Sequence, residues 1–151
     1  MDLCVRWHKP IKLRKSKAGS TSIYELNLDD VSVKPGVYVF MRKFGNSLRP
    51  LYVGKAQNLK TRIGQQLNSL NLMKGIQNSA IGNRFLVVGE FIPKPGQTTE
   101  TCITLVEKAL ISHFLSEGNN LLNVAGTKIP TSHSVTSKKV TRNFIPHTIL
   151  F

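Results

Sequence analysis

Hydrophobic and polar positions alternate along several short stretches of the chain, each bounded by turn residues. Ile23-Tyr24-Glu25-Leu26-Asn27-Leu28 alternates as a strand should, and Asp29-Asp30 ends it. Pro35-Gly36 turns the chain into a second strand over Val37 to Met41. Lys43 to Pro50, with Gly45-Asn46 inside it, predicts a hairpin connection, and Leu51 to Val53 returns as the partner strand. Asn58 is placed to cap a helix in which Leu59, Ile63, Leu67 and Leu70 recur at helical spacing as a buried stripe. Arg62 and Gln66 each precede a stripe residue by one position and form their own row beside it. Gly75 to Gly82 reads as loop or a short helix, and the apolar run Phe85 to Phe91 suits a third core strand. Pro93, Pro95 and Gly96 break the chain before a second long helix, Thr99 to Leu115. Beyond Asn123 the periodicity dissolves into Gly, Thr, Ser, Lys and Arg. The apolar close, Phe144 to Phe151, is expected to pack back on the domain, an edge strand being one way to do so.

Composition narrows the picture. At 151 residues the chain is long enough for one domain with a core and too short for two ordinary ones. With 21 Lys plus Arg against 8 Asp plus Glu, the net +13 makes a surface that a polyanion would neutralise with counterion release. Nucleic acid fits that demand; an anionic membrane fits it less well, because no long apolar span and no basic amphipathic helix with an aromatic face stands out. From Arg6 to Lys17 the chain carries Lys9, Lys12, Arg14, Lys15 and Lys17, with Pro10 interrupting any regular element, and reads as a solvated or phosphate-contacting arm. Cys4 and Cys102 are too few for a disulfide framework, and the four histidines show no metal-ligand spacing. Asp2, Trp7 and His8 interrupt any apolar run of the kind a signal peptide needs, so a reducing, cytoplasmic setting is the expectation.

One residue stands out chemically. Ile103, Leu110, Ile111 and Phe114 surround Glu107 at helical offsets and set its carboxylate in the middle of an apolar face. A charge there costs several kcal/mol unless it is paired or holds a cation. A buried ion pair and a metal ligand are both open readings.

Gly36-Val37-Tyr38 and Tyr52-Val53-Gly54, followed by the basic helix from Asn58, resemble the defining core of the GIY-YIG nuclease superfamily. The resemblance runs from Val33 to Asn123. It implies an α/β (α+β) domain with a small, mainly antiparallel three-stranded central sheet flanked by helices. The organisation expected is a basic arm over residues 1–22, the nuclease domain over 23–125, and an extension over 126–151 packing on it. The implied activity is Mg²⁺-dependent endonucleolytic hydrolysis of DNA, with Mn²⁺ able to substitute, leaving 5′-phosphate and 3′-hydroxyl ends. Arg62 matches the catalytic arginine that would neutralise the scissile phosphate. Glu107, followed by Leu110-Ile111, matches the single metal-binding glutamate, a sparse ligand set that suits Mg²⁺. Tyr38 and Tyr52 would turn their hydroxyls to the site, with Tyr38 the favoured proton acceptor. Lys55 resembles the variant in the nuclease module of bacterial nucleotide-excision repair, where it would contact phosphate or water. Asn123 aligns best with a bracing asparagine, with Asn119 and Asn120 as rivals.

Gln66 departs from the pattern. The family usually carries His or Tyr there, whereas an amide cannot transfer protons at neutral pH. A catalytically weak or inactive nucleic-acid-binding protein of the same fold is therefore the rival reading. An RNA-binding or ribosome-associated protein is a third, disfavoured because most aromatics sit in core-like elements. The size suggests a compact restriction-type or phage-like member, monomeric or homodimeric, acting on double-stranded or branched DNA. Contacts to DNA are expected from Lys12, Arg14, Lys15, Lys17, Lys60 and Gln66, and from Lys128, Lys138, Lys139 and Arg142 in the tail.

Overall fold

The period-two pattern around Pro35-Gly36 becomes the centre of the sheet. In the computed structural model, which describes residues 2–17, 19, 22–123, 134–138, 145–146 and 148–150, strand β5 (Gly36–Phe44) pairs antiparallel with β6 (Ser47–Ala56) through a turn at Gly45-Asn46. On its other side β5 pairs antiparallel with β7 (Asn83–Ile92). β7 in turn pairs with β1 (Asp2–Trp7), β1 pairs in parallel with β8 (Ser134–Lys138), and β9 (Thr148–Leu150) closes the edge beside β8. The two-residue β2 (Ile11–Lys12) adds to β7, while β3 (Arg14–Lys15) and β4 (Tyr24–Glu25) make a separate ribbon.

The main sheet therefore has seven strands among the described residues, with order β6-β5-β7-β1-β8-β9 and β2 off this path, and not the expected three. The additions come from both ends of the chain. Leu3, Val5 and Trp7 alternate with Asp2, Cys4 and Arg6, so the first residues of the supposed arm form a core strand. The supposed strand over Ile23 to Leu28 is regular only at Tyr24–Glu25, and a 3₁₀ turn over Leu28–Asp30 follows. The closing edge strand is present as β9.

Helices cover both faces. Val37, Val39 and Met41 of β5 face α3 (Thr99–Ser116), which buries Ile103, Val106, Leu110 and Phe114 against them. Tyr38 and Phe40, one position out of phase, face α1 (Leu59–Leu67) and α2 (Leu70–Gln77). Asn58 caps α1, its Oδ1 accepting from Thr61 N at 3.0 Å. The expected single stripe through Leu70 is broken because Ser69 caps a new helix, its Oγ accepting from Leu72 N at 3.4 Å. That break leaves Leu70 52% exposed. No described helix is long and apolar enough to cross a membrane.

Candidate active site

The two triplets interlock sterically. A Cβ on Gly36 would collide with the carbonyl oxygen of Gly89 on β7, so glycine lets β5 and β7 approach there. A Cβ on Gly54 would collide with the ring and hydroxyl of Tyr38, directly opposite it in the ladder. The glycine of the second triplet is thus the seat on which the tyrosine of the first one lies.

Tyr38 is buried at 1% exposure, and its hydroxyl accepts a hydrogen bond from Gln66 Nε2 at 2.6 Å. Its ring stacks on that of Tyr52 (centroids 6.3 Å apart, 28° between planes) and meets Phe40 edge-on at 5.9 Å. Burial drives the Tyr38 phenol pKa well above its ordinary range. Gln66 and Arg62 oppose that rise, and the neighbouring Tyr52 and Glu107 add to it. The shift works against Tyr38 as a proton acceptor and favours it as a hydrogen-bonding group that keeps its proton. Tyr52, opposite Phe40 in the ladder, is only partly buried.

β6 is an edge strand, so groups on its two faces meet around that edge. Tyr38, Tyr52 and Gln66 approach from the α1 face. Lys55 projects to the other face, where its Nζ donates to Thr104 Oγ1 of α3 at 2.7 Å. Glu107 follows on the next turn of α3, half-buried at the margin of the apolar face. Burial raises its carboxyl pKa, and Lys55, Lys108 and Arg62 pull it back down. Among the described residues Glu107 has no ion pair or hydrogen-bonding partner. Arg62 is exposed on α1 with its guanidinium likewise unpaired, yet its charge is felt by both Tyr38 and Glu107.

Asn123 lies along the outer edge of β6. Its Oδ1 accepts from Val53 N at 2.8 Å and its Nδ2 donates to Val53 O at 2.5 Å. Leu122 N donates to Leu51 O at 2.7 Å, so this segment satisfies backbone groups that an edge strand would expose. The rival Asn119 instead donates from Nδ2 to Phe114 O at the end of α3. Tyr38, Tyr52, Lys55, Arg62, Gln66, Glu107 and Asn123 are thereby gathered around the β6 edge.

Of the remaining candidates, those whose side chains are described are not part of this cluster. Lys60 makes a 3.0 Å surface pair with Asp29. Lys12, Arg14, Lys15 and Lys17 are exposed on and beside the small amino-terminal strands. The backbone of Lys138 belongs to β8, while Lys128, Lys139 and Arg142 lie outside the described residues. Thr104, which positions Lys55, went unnoticed in the sequence; its spacing of three residues before Glu107 was the available signal.

No protein-family model matches the chain, and no solved structure matches it. Over 44 residues it is 43% identical to the UvrABC system protein C of Petrotoga mobilis, a stretch covering 29% of this chain and 7% of that protein. The chain therefore spans only a small part of that relative's length.

Proposed function

We propose that this protein is a metal-dependent DNA endonuclease that hydrolyses phosphodiester bonds at the β6 edge, leaving 5′-phosphate and 3′-hydroxyl ends. The observation that carries the reading is Glu107: a half-buried carboxylate, unpaired among the described residues, within the field of Lys55 and Arg62. Perturbed, unpartnered ionisable groups of this kind concentrate at functional sites. The GIY-YIG-like triplets and the short similarity to UvrABC system protein C loosely support a nuclease role, and the net +13 suits a DNA partner.

The donor set fits Mg²⁺, or Mn²⁺ in its place, because such an ion takes one or two carboxylates and completes its shell with water and substrate phosphate. Among the described residues no cluster of three or more His, Cys, Asp or Glu is present, and Glu107 would be the protein's ligand to the ion. Such an ion would neutralise charge on the scissile phosphate and the leaving oxygen. Arg62, exposed and unpaired among the described residues, would present a guanidinium fork to a phosphate. Lys55, held by Thr104, fixes a second positive charge beside Glu107. Tyr38, protonated and held by Gln66, orients the water. Tyr52 at the rim would relay the water's proton, its hydroxyl accepting that proton as it passes its own to bulk water, which in turn protonates the leaving 3′ oxygen. Asn123 braces the strand that carries Tyr52 and Lys55.

A second reading is a DNA-binding protein of the same fold that turns over slowly or not at all. It is favoured by Gln66, which cannot exchange protons and is committed to the Tyr38 hydroxyl. Nicking of supercoiled plasmid in Mg²⁺, in Mn²⁺ and in EDTA, beside Glu107→Ala, separates the two. Metal-dependent nicking that the substitution abolishes is the expected result. Salt-sensitive binding without nicking in either metal would establish the second reading instead.

A further inference from the structure

We propose that the cleft between the β5–β6 hairpin and α2 is a second nucleic-acid subsite, which takes the phosphate and base of a nucleotide flanking the scissile bond. The inference rests on the nuclease reading above and extends it to how the strand is held.

Arg42 and Arg49 lie directly opposite each other in the hairpin ladder. Like charges at such a position destabilise a strand pair, and among the described residues neither arginine has a carboxylate partner. Each has made one weak commitment: Arg42 Nη1 donates to Ile81 O at 3.2 Å and Arg49 Nη1 to Asn119 Oδ1 at 3.4 Å. Most of their ten donors remain available to a phosphate. Both line an open cleft of about 590 Å³ that also carries the amides of Asn78, Asn119 and Asn120 and the apolar Leu122, with no acidic residue in its wall. That volume is far larger than an inorganic anion needs and is within the range of small-ligand sites. Side-chain amides offer both donors and acceptors to a base edge.

The end of α2 would ordinarily oppose an anion here, because helix C-termini carry partial negative charge. Buried Arg84 cancels it. Its guanidinium donates to Ile76 O at 3.0 Å, to Ser79 O at 3.1 Å and to Gly82 O, with no acid among its partners. The cleft is also in the right place. Arg42 is two residues beyond Phe40, the ladder partner of Tyr52, a distance of about 7 Å along a strand. That spans roughly two nucleotide steps at the axial rise of one DNA strand. The segment that braces Val53 through Asn123 also supplies Asn119, Asn120 and Leu122 to the cleft, so both sites share one wall.

The test uses the full chain carrying Glu107→Gln, so that DNA is bound without being cut, and follows anisotropy of labelled single-stranded and duplex oligonucleotides in EDTA at several salt concentrations. Adding Arg42→Gln and Arg49→Gln should weaken binding roughly tenfold at moderate salt and reduce the slope of log affinity against log salt by on the order of 1 to 2. The DNA-free melting temperature should hold or rise, since a like-charge pair has been relieved. Unchanged affinity and slope would overturn the subsite while leaving the nuclease reading intact. Failure of the Glu107→Gln parent itself to bind DNA would overturn both. If the double change does not fold, Arg49→Gln alone carries the same prediction at about half the slope change, because among the described residues its guanidinium hydrogen-bonds only to Asn119.

Discussion

Glu90 and Glu107 sit on opposite faces of one sheet and have opposite surroundings. Glu90, on β7, is satisfied. Burial alone would raise its pKa, but the nearby Ser32 side chain, His8 and the charge of Arg6 bring it below the ordinary glutamate range. His8 Nε2 lies 3.0 Å from Glu90 Oε1, near enough to attract though not aligned as a hydrogen bond. Glu107 is half-buried with no partner among the described residues, and its pKa is raised. The difference teaches what each carboxylate is for. A charge that the fold neutralises locally contributes to stability, whereas one left desolvated and unpaired costs stability until something outside the chain compensates it.

The largest contrast should be in activity. Glu107→Gln and Arg62→Ala should each reduce plasmid nicking by at least about 100-fold, the scale of losing a group that meets transition-state charge. Glu90→Gln should leave nicking almost unchanged and instead lower stability by about 0.5–1 kcal/mol in a denaturant melt, as expected for a lost, partly exposed ion pair. A Glu90 variant as inactive as the Glu107 one would collapse the distinction.

Gln66→His sharpens the same contrast by putting a titratable group beside Tyr38. Nicking should rise roughly tenfold and gain a pH dependence in the imidazole range. An unchanged rate and flat profile would show that Gln66 is not what limits proton transfer. Asn123→Ala acts on the frame of the site. It leaves Val53 N–H and C=O without partners on the β6 edge, so a loss of about 1–2 kcal/mol is expected. Nicking should fall several-fold as the strand carrying Tyr52 and Lys55 loosens; full activity at lower stability would make Asn123 purely structural.

Local pattern revealed the parts of this molecule that are held locally. The β5–β6 hairpin, β7, the Asn58 cap and α3 all follow from period, turn residues and caps within a few positions of each element. The triplets that resemble a nuclease core also pointed to the residues now found around the β6 edge. β1 was legible too, through the alternation of Leu3, Val5 and Trp7, but the cluster of positive charge beginning at Arg6 obscured it. β8 was not legible. Ser-Val-Thr-Ser-Lys buries Val135 against the core and owes its strand form to parallel pairing with β1, more than a hundred residues earlier. The Arg42–Arg49 cleft needed the hairpin register, which two-residue turns fix: both arginines lie three positions out from Gly45-Asn46.

The smallest effect, and the one that tests the comparison most directly, is in the pH dependence of stability. Glu90 has a lowered folded pKa, so its contribution is present above the ordinary glutamate value of 4.5 and is lost as pH falls through the folded value. Glu107 has a raised folded pKa, so its favourable contribution is present below 4.5 and is lost as pH rises through the folded value. At neutral pH the ionised Glu107 therefore weighs against folding. Thermal melts from about pH 3 to pH 7 should show Glu107→Gln matching the parent in acid and melting about 2 °C higher at neutrality. Glu90→Gln should do the reverse in sign, melting lower than the parent at neutrality and converging with it in acid. Differences of the same sign for both variants would mean that Glu107 is neutralised within the fold after all, and the strongest reason for placing a metal-binding catalytic centre there would be gone.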